Sequence, residues 1–68
     1  MSKEQFELMI ANKFSHIAVI RNADIYNDNN GKYTQITVVN ERNCMTFKNY
    51  FSSDNIYAWM NNHWIKIK

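Results

Sequence analysis

The run Asn27-Asp28-Asn29-Asn30-Gly31 holds the only glycine in a chain of 68 residues that has no proline. It lies between two stretches rich in β-branched and aromatic residues. An Asn-Gly pair in that setting is a strong local signal for a β-hairpin, and Gly31 is where a positive φ costs least. The run therefore predicts a hairpin with Asn30-Gly31 at its tip. A calcium loop also needs acidic and amide residues in a short run, but it requires alternating oxygen ligands and a later Glu, which are missing here. A phosphate-cradling loop needs several glycines, so a single glycine excludes it.

The flanks of the hairpin follow from periodicity. Before it, Ile17, Val19, Ala23 and Ile25 share one parity, and Ala18, Ile20, Asn22, Asp24 and Tyr26 share the other. Such alternation predicts a strand. Arg21 on the apolar parity suggests a bulge or a strand end near there. After the hairpin, Lys32–Asn40 carries Tyr33, Ile36, Val38 and Val39 with threonines between them, a second strand. Asn40-Glu41-Arg42-Asn43 reads as a turn, and residues 44–49 alternate again as a third strand. The middle of the chain is thus an antiparallel meander.

Helices are expected at both ends of that meander. Ser2-Lys3-Glu4-Gln5 fits a capping box, and Phe6, Met9 and Ile10 follow at helical spacing, predicting a helix over 3–13. Leu8 falls off that stripe. Near the C-terminus Ser52 or Ser53 is a good N-cap, with Asp54 in the first turn. Ile56, Trp59, Met60 and His63 then repeat at i, i+3, i+4 and i+7. This spacing predicts a second short helix over 53–62 that buries Trp59, with Asn61-Asn62 ending it. Trp64–Lys68 alternates at period two, which allows a short C-terminal edge strand with Lys66 and Lys68 discouraging further pairing. The expected fold class is α+β: N-terminal helix, three-stranded antiparallel meander, second short helix, and an optional last strand. The expected core is Phe6, Ile10, Ile17, Val19, Ile36, Val38, Phe47, Ile56, Trp59 and Met60.

One domain is all that this length allows. A chain so short buries only about 60% of its unfolded surface, and its ten aromatic rings must supply much of that burial. Cys44 is the only cysteine, so no internal disulfide can form. Its expected role is that of a small buried hydrophobe. A lone thiol and the lack of a basic-then-apolar leader predict a cytoplasmic protein. No apolar run approaches the length of a membrane span, so no membrane partner is expected.

Chemistry is poorly represented. A nucleophilic triad could be assembled from Cys44, His16 and Asp24, or histidine and acid taken from His63 and Asp54, but no glycine-rich elbow accompanies them. Two histidines without a carboxylate cluster or a second cysteine make a poor metal site. No catalytic residue, cofactor or metal is therefore expected, and the chain does not read as an enzyme.

Binding is left. The net charge is +2, and it is uneven. Residues 1–41 hold four Lys or Arg against five acids, or −1; residues 42–68 hold four against one, or +3. Tyrosines for stacking and a basic C-terminal half would suit a small nucleic-acid-binding accessory protein. Against this, the charge is low and no helix carries a basic stripe. Asn, Tyr and Trp on a small frame suit recognition of protein better. The candidate partner-binding residues are Tyr33, Tyr57 and Trp64, which the expected core does not need, with Lys48, Lys66 and Lys68 beside them. Monomer and homodimer both remain open.

Abundant Asn, Ile, Lys, Tyr, Phe and Met, with scarce Gly, Pro and Ala, match the codons of an AT-rich genome. In size, composition and lack of a catalytic motif the chain resembles, in general style, the small phage and mobile-element inhibitors, anti-CRISPR proteins among them. That resemblance implies stoichiometric binding to a larger host protein or ribonucleoprotein complex, and it carries no functional residue over.

Overall fold

A computed structural model describes all 68 residues. The order is α1 (Lys3–Phe14), β1 (Val19–Asp28), β2 (Gly31–Val39), β3 (Cys44–Tyr50), β4 (Tyr57–Met60) and β5 (His63–Lys66). The strands form one antiparallel sheet in the order β1-β2-β3-β4-β5, an uninterrupted meander. One helix covers one side of it. The expected fold of three strands and two helices is therefore wrong: half of the residues lie in five strands, and there is no second helix.

The first helix forms where its cap predicts. Ser2 Oγ accepts from Gln5 N at 3.1 Å, and Gln5 Oε1 accepts from Ser2 N at 3.0 Å, so both halves of the capping box are made. Lys3 and Glu7, one turn apart, pair at 2.6 Å. Phe6 and Ile10 are buried against the sheet, and Phe14 meets the Phe47 ring at 5.5 Å between centroids. They join Ile36, Val38, Phe47, Ile56 and Ala58 in the core. Leu8 points away and is exposed.

The second helix fails for a local reason. Residues 56–60 satisfy a helical spacing, but they also alternate: Ile56 and Ala58 are buried while Tyr57 and Trp59 turn to the other face. A short apolar run supports both readings. The Asn pair decides between them. Asn61 and Asn62 adopt φ of 52° and 67°, the two consecutive positive values that a two-residue type I′ hairpin requires. Asn tolerates that region better than other non-glycine residues. Instead of ending a helix, the pair reverses β4 into β5, whose residues include part of the optional C-terminal strand. Ser53 does not cap a helix either. Its Oγ accepts from Asn55 N at 3.0 Å, a tight turn before β4.

Other expectations shift with this. Trp59 and Met60 are exposed, as are Ile17 and Val19, so these four are not core residues. Cys44 is exposed at the start of β3, not a buried hydrophobe. The first hairpin turns one residue earlier than expected. Asn29 and Asn30 form the bend at negative φ, and Gly31, at φ 117°, pairs with Asp28. Asp28 Oδ1 accepts from Asn30 N at 2.7 Å and fixes that bend. The irregularity at Arg21 is real: the β1–β2 register shifts between Ile20 and Asn22. No helix is long and apolar enough to cross a membrane.

The open aromatic face as candidate functional site

Register assigns every ring on the strands to a side. Phe47 pairs with Ala58, and Ile36 with Phe47, all facing the helix. Because side chains alternate along a strand, the residues between them face outward. On this open face Tyr26 stands opposite Tyr33, and Tyr33 opposite Tyr50. Lys48 stands opposite Tyr57, Tyr57 opposite Lys66, and Trp59 opposite Trp64. No element of the chain covers them.

The rings touch in sequence across the sheet. Tyr26 and Tyr33 lie 5.9 Å apart, Tyr33 and Tyr50 5.3 Å, and Tyr50 and Tyr57 6.2 Å. Trp59 and Trp64 form an edge-to-face pair at 5.1 Å. These separations fall within the favourable range for aromatic pairs. Exposure rises towards the margins: Tyr26 is 45% and Trp59 47% exposed, whereas Tyr33, Tyr50, Tyr57 and Trp64 are half-buried.

Lys48 lies in the middle of the rings and is only 7% exposed. Its Nζ lies 4.6 Å from the Trp64 ring centre, 5.0 Å from Tyr33, 5.0 Å from Tyr50 and 5.8 Å from Tyr57. It donates to Tyr50 Oη at 3.0 Å, and Tyr50 in turn donates to Asp28 Oδ2 at 2.5 Å. Asp28 and Lys48 are 3.9 Å apart. The Tyr50 hydroxyl is the main reason that the Asp28 carboxyl titrates below its ordinary value. The Asn30 amide and Lys48 act in the same direction, and partial desolvation opposes them.

Of the six residues singled out from sequence, Tyr33, Tyr57, Trp64 and Lys48 come together here. Lys66 lies on the same face and is exposed. Lys68 does not join them. Its backbone pairs with Ile56, and its side chain lines a cleft on the helix side with Met9, Lys13 and Ile67. Sequence reasoning has Tyr26 and Tyr50 only among the stacking tyrosines of the nucleic-acid alternative, and it misses Trp59 and Asp28. Trp59 was hidden by its assignment to a helix. The other three become neighbours only once the hairpin registers are known.

Beside the tryptophans the face drops into a recess of about 320 Å³, lined by Gln35, Thr46, Trp59 and Trp64. Its walls carry no ionisable group. A larger open cleft of about 650 Å³ lies between the end of α1 and the β2–β3 turn, but no side-chain hydrogen bond joins its His16, Glu41 and Arg42. The paper triads are not assembled. No hydrogen bond links Cys44, His16 and Asp24; Asp24 accepts from Asn22, and His63 Nδ1 meets only Asn61 O. No three His, Cys, Asp or Glu residues cluster as metal ligands do.

The class defined by fold and site is a small antiparallel meander with a helix on one face and an uncovered ring array on the other. No family model, curated protein or solved structure matches this chain.

Proposed function

We propose that this chain is a non-enzymatic protein-binding module that uses its open sheet face to hold a larger partner in a stoichiometric complex. The observation that carries this reading is the ring array from Tyr26 to Trp64, uncovered by any element of the chain. Rigid aromatic side chains lose little entropy on binding and dominate interface energetics. The recess beside Trp59 and Trp64 offers room for a partner side chain, with the Gln35 amide and Thr46 hydroxyl as hydrogen-bonding groups.

Charge favours a protein over a nucleic acid. The face carries Asp24 and Asp28 against Lys48 and Lys66, a balance of zero, and Lys48 is already enclosed. Lys66 alone is left to meet phosphate, whereas binding to single strands relies on a positively charged groove. The likeness in style to phage and mobile-element inhibitors extends the proposal to a blocking role against a host protein or ribonucleoprotein complex.

The test is capture from a presumed host extract at two salt concentrations, followed by mass spectrometry and nuclease treatment. The proposal expects a defined protein to be retained at moderate salt and after nuclease treatment. Binding that falls steeply with salt and disappears with nuclease would establish the nucleic-acid reading instead. Lys66→Ala should change the association rate and its salt dependence more than the dissociation rate.

A further inference from the structure

The surroundings of Lys48 draw on the whole sheet. β1 contributes the Asp28 carboxylate, β2 the Tyr33 ring, β3 Tyr50, β4 Tyr57 and β5 Trp64. All four ring centres lie within 6 Å of Nζ, the range in which a ring face attracts a cation. An ammonium has three donors, yet only the Tyr50 hydroxyl is within hydrogen-bonding distance. Lysine is rarely buried without compensation. Here four rings stand around it, and the carboxylate at 3.9 Å supplies the countercharge. Comparable ring sets elsewhere recognise alkylated ammonium groups.

We propose that Tyr33, Tyr50, Tyr57 and Trp64 form a cation cage whose ligand is the chain's own Lys48 ammonium, a site of the alkylammonium class occupied from within. Lys48 is then a positioning residue. Enclosed as it is, it offers a partner little contact, and it fixes the rings of the outward face by holding one from each of four strands. The inference concerns the isolated chain and is independent of what the face binds.

Replacing Lys48 with Ala removes three methylenes and the ammonium, a fragment equivalent to propylammonium. The Lys48→Ala protein is titrated with propylammonium chloride against sodium chloride at equal ionic strength, with tryptophan fluorescence and ring-proton NMR as readouts. The expected result is saturable binding that perturbs Trp64 and the three tyrosines. Wild type and Lys48→Met, which keeps the stem without the charge, should respond at least about tenfold more weakly. If Lys48→Ala is unfolded, propylammonium should restore its folded spectrum and sodium should not. A folded Lys48→Ala protein without saturable binding, or an unfolded one that propylammonium cannot rescue, overturns the proposal. Wild type gives a second test. The Lys48 ε-methylene protons should be displaced upfield by ring currents relative to those of every other lysine, and an ordinary position for them also overturns it.

Discussion

On the helix-covered face Ile36, Val38 and Phe47 are buried, packed under Phe6 and Ile10. On the other face, one residue along the same strands, Tyr33, Gln35, Thr46 and Tyr50 remain half-open. The two faces share a backbone and differ in what completes them. The covered face is finished by α1, and its buried residues are mostly aliphatic, with Thr34 and Asn49 as polar exceptions. The open face is finished by its own side chains: rings that lean on one another and a lysine that ties them. Removing a group from the first leaves a cavity. Removing one from the margin of the second leaves solvent where there was a ring. Stability should therefore depend on the covered face and recognition on the open one.

The sharpest break between the faces is expected at Phe6. It is fully buried, and Phe6→Ala should cost about 3–5 kcal/mol, which exceeds what so small a core can spare. Circular dichroism should show an unfolded or barely folded chain. A cooperative melt near that of wild type would mean that the helix is not what closes this face.

Asn49 tests a polar position on the covered side. It is fully buried, and its Nδ2 donates to Ser53 O and Asn55 O at 2.9 Å each, which ties the β3–β4 loop to the sheet. Its Oδ1 has no partner, nor has Oγ1 of Thr34, the residue directly opposite. Asn49→Ala should cost about 1–3 kcal/mol in urea unfolding, because both bonds to the loop carbonyls are lost and Ser53 O keeps only the N-terminal ammonium as donor. An unchanged midpoint would show that the loop holds itself.

Gly31→Val probes the hairpin away from either packed face. A Cβ there meets nothing within 4 Å, so the main cost is backbone strain at φ 117°, about 1–2 kcal/mol. Thermal melts should shift while the ring-proton spectrum of the open face stays in place. A wild-type melting temperature would show that the bend can be rebuilt without positive φ.

The smallest effect concerns pH. The carboxyl of Asp28 is held below its ordinary 3.8, first by the Tyr50 hydroxyl. A carboxyl with a depressed folded-state pKa adds stability that is fully present above the unfolded value and is lost as pH falls through the folded one. Asp28→Asn should therefore lower stability slightly at neutral pH, where the carboxylate's contribution is fully present, and flatten the acid limb of the stability curve below about pH 4. An identical acid limb would remove Asp28 from the tie.

The same contrast explains what was legible in the sequence. The capping box, the Asn-Gly signal and the alternation of β2 and β3 are local, and α1 and the central meander follow from them. The covered face was largely readable, because Phe6, Ile10, Ile36, Val38, Phe47 and Ile56 carry both periodicity and hydrophobicity. Residues 53–62 were misread because five residues cannot separate a helical from an alternating pattern. The asparagine pair that decides the matter looks like a helix end until its φ values are known. The open face was only partly readable. Tyr33, Tyr57, Trp64 and Lys48 stood out as residues not needed for the core. Their meeting around one ammonium depends on three cross-strand registers that no single stretch encodes.

The central claim is that the open face binds and the covered face supports. It is tested most directly by measuring partner retention for Trp59→Ser, Tyr26→Ser and Leu8→Ser against wild type, each confirmed folded. Trp59 and Tyr26 are the most exposed rings of the open face, and Leu8, at 63%, is the most exposed large apolar residue of the helix. Loss of a ring from an interface centre costs about 1–4 kcal/mol of affinity. The expected result is that Trp59→Ser, Tyr26→Ser or both lose the captured protein while Leu8→Ser keeps it. Full retention by both ring variants, or loss with Leu8→Ser alone, would contradict it and place the binding surface on the helix.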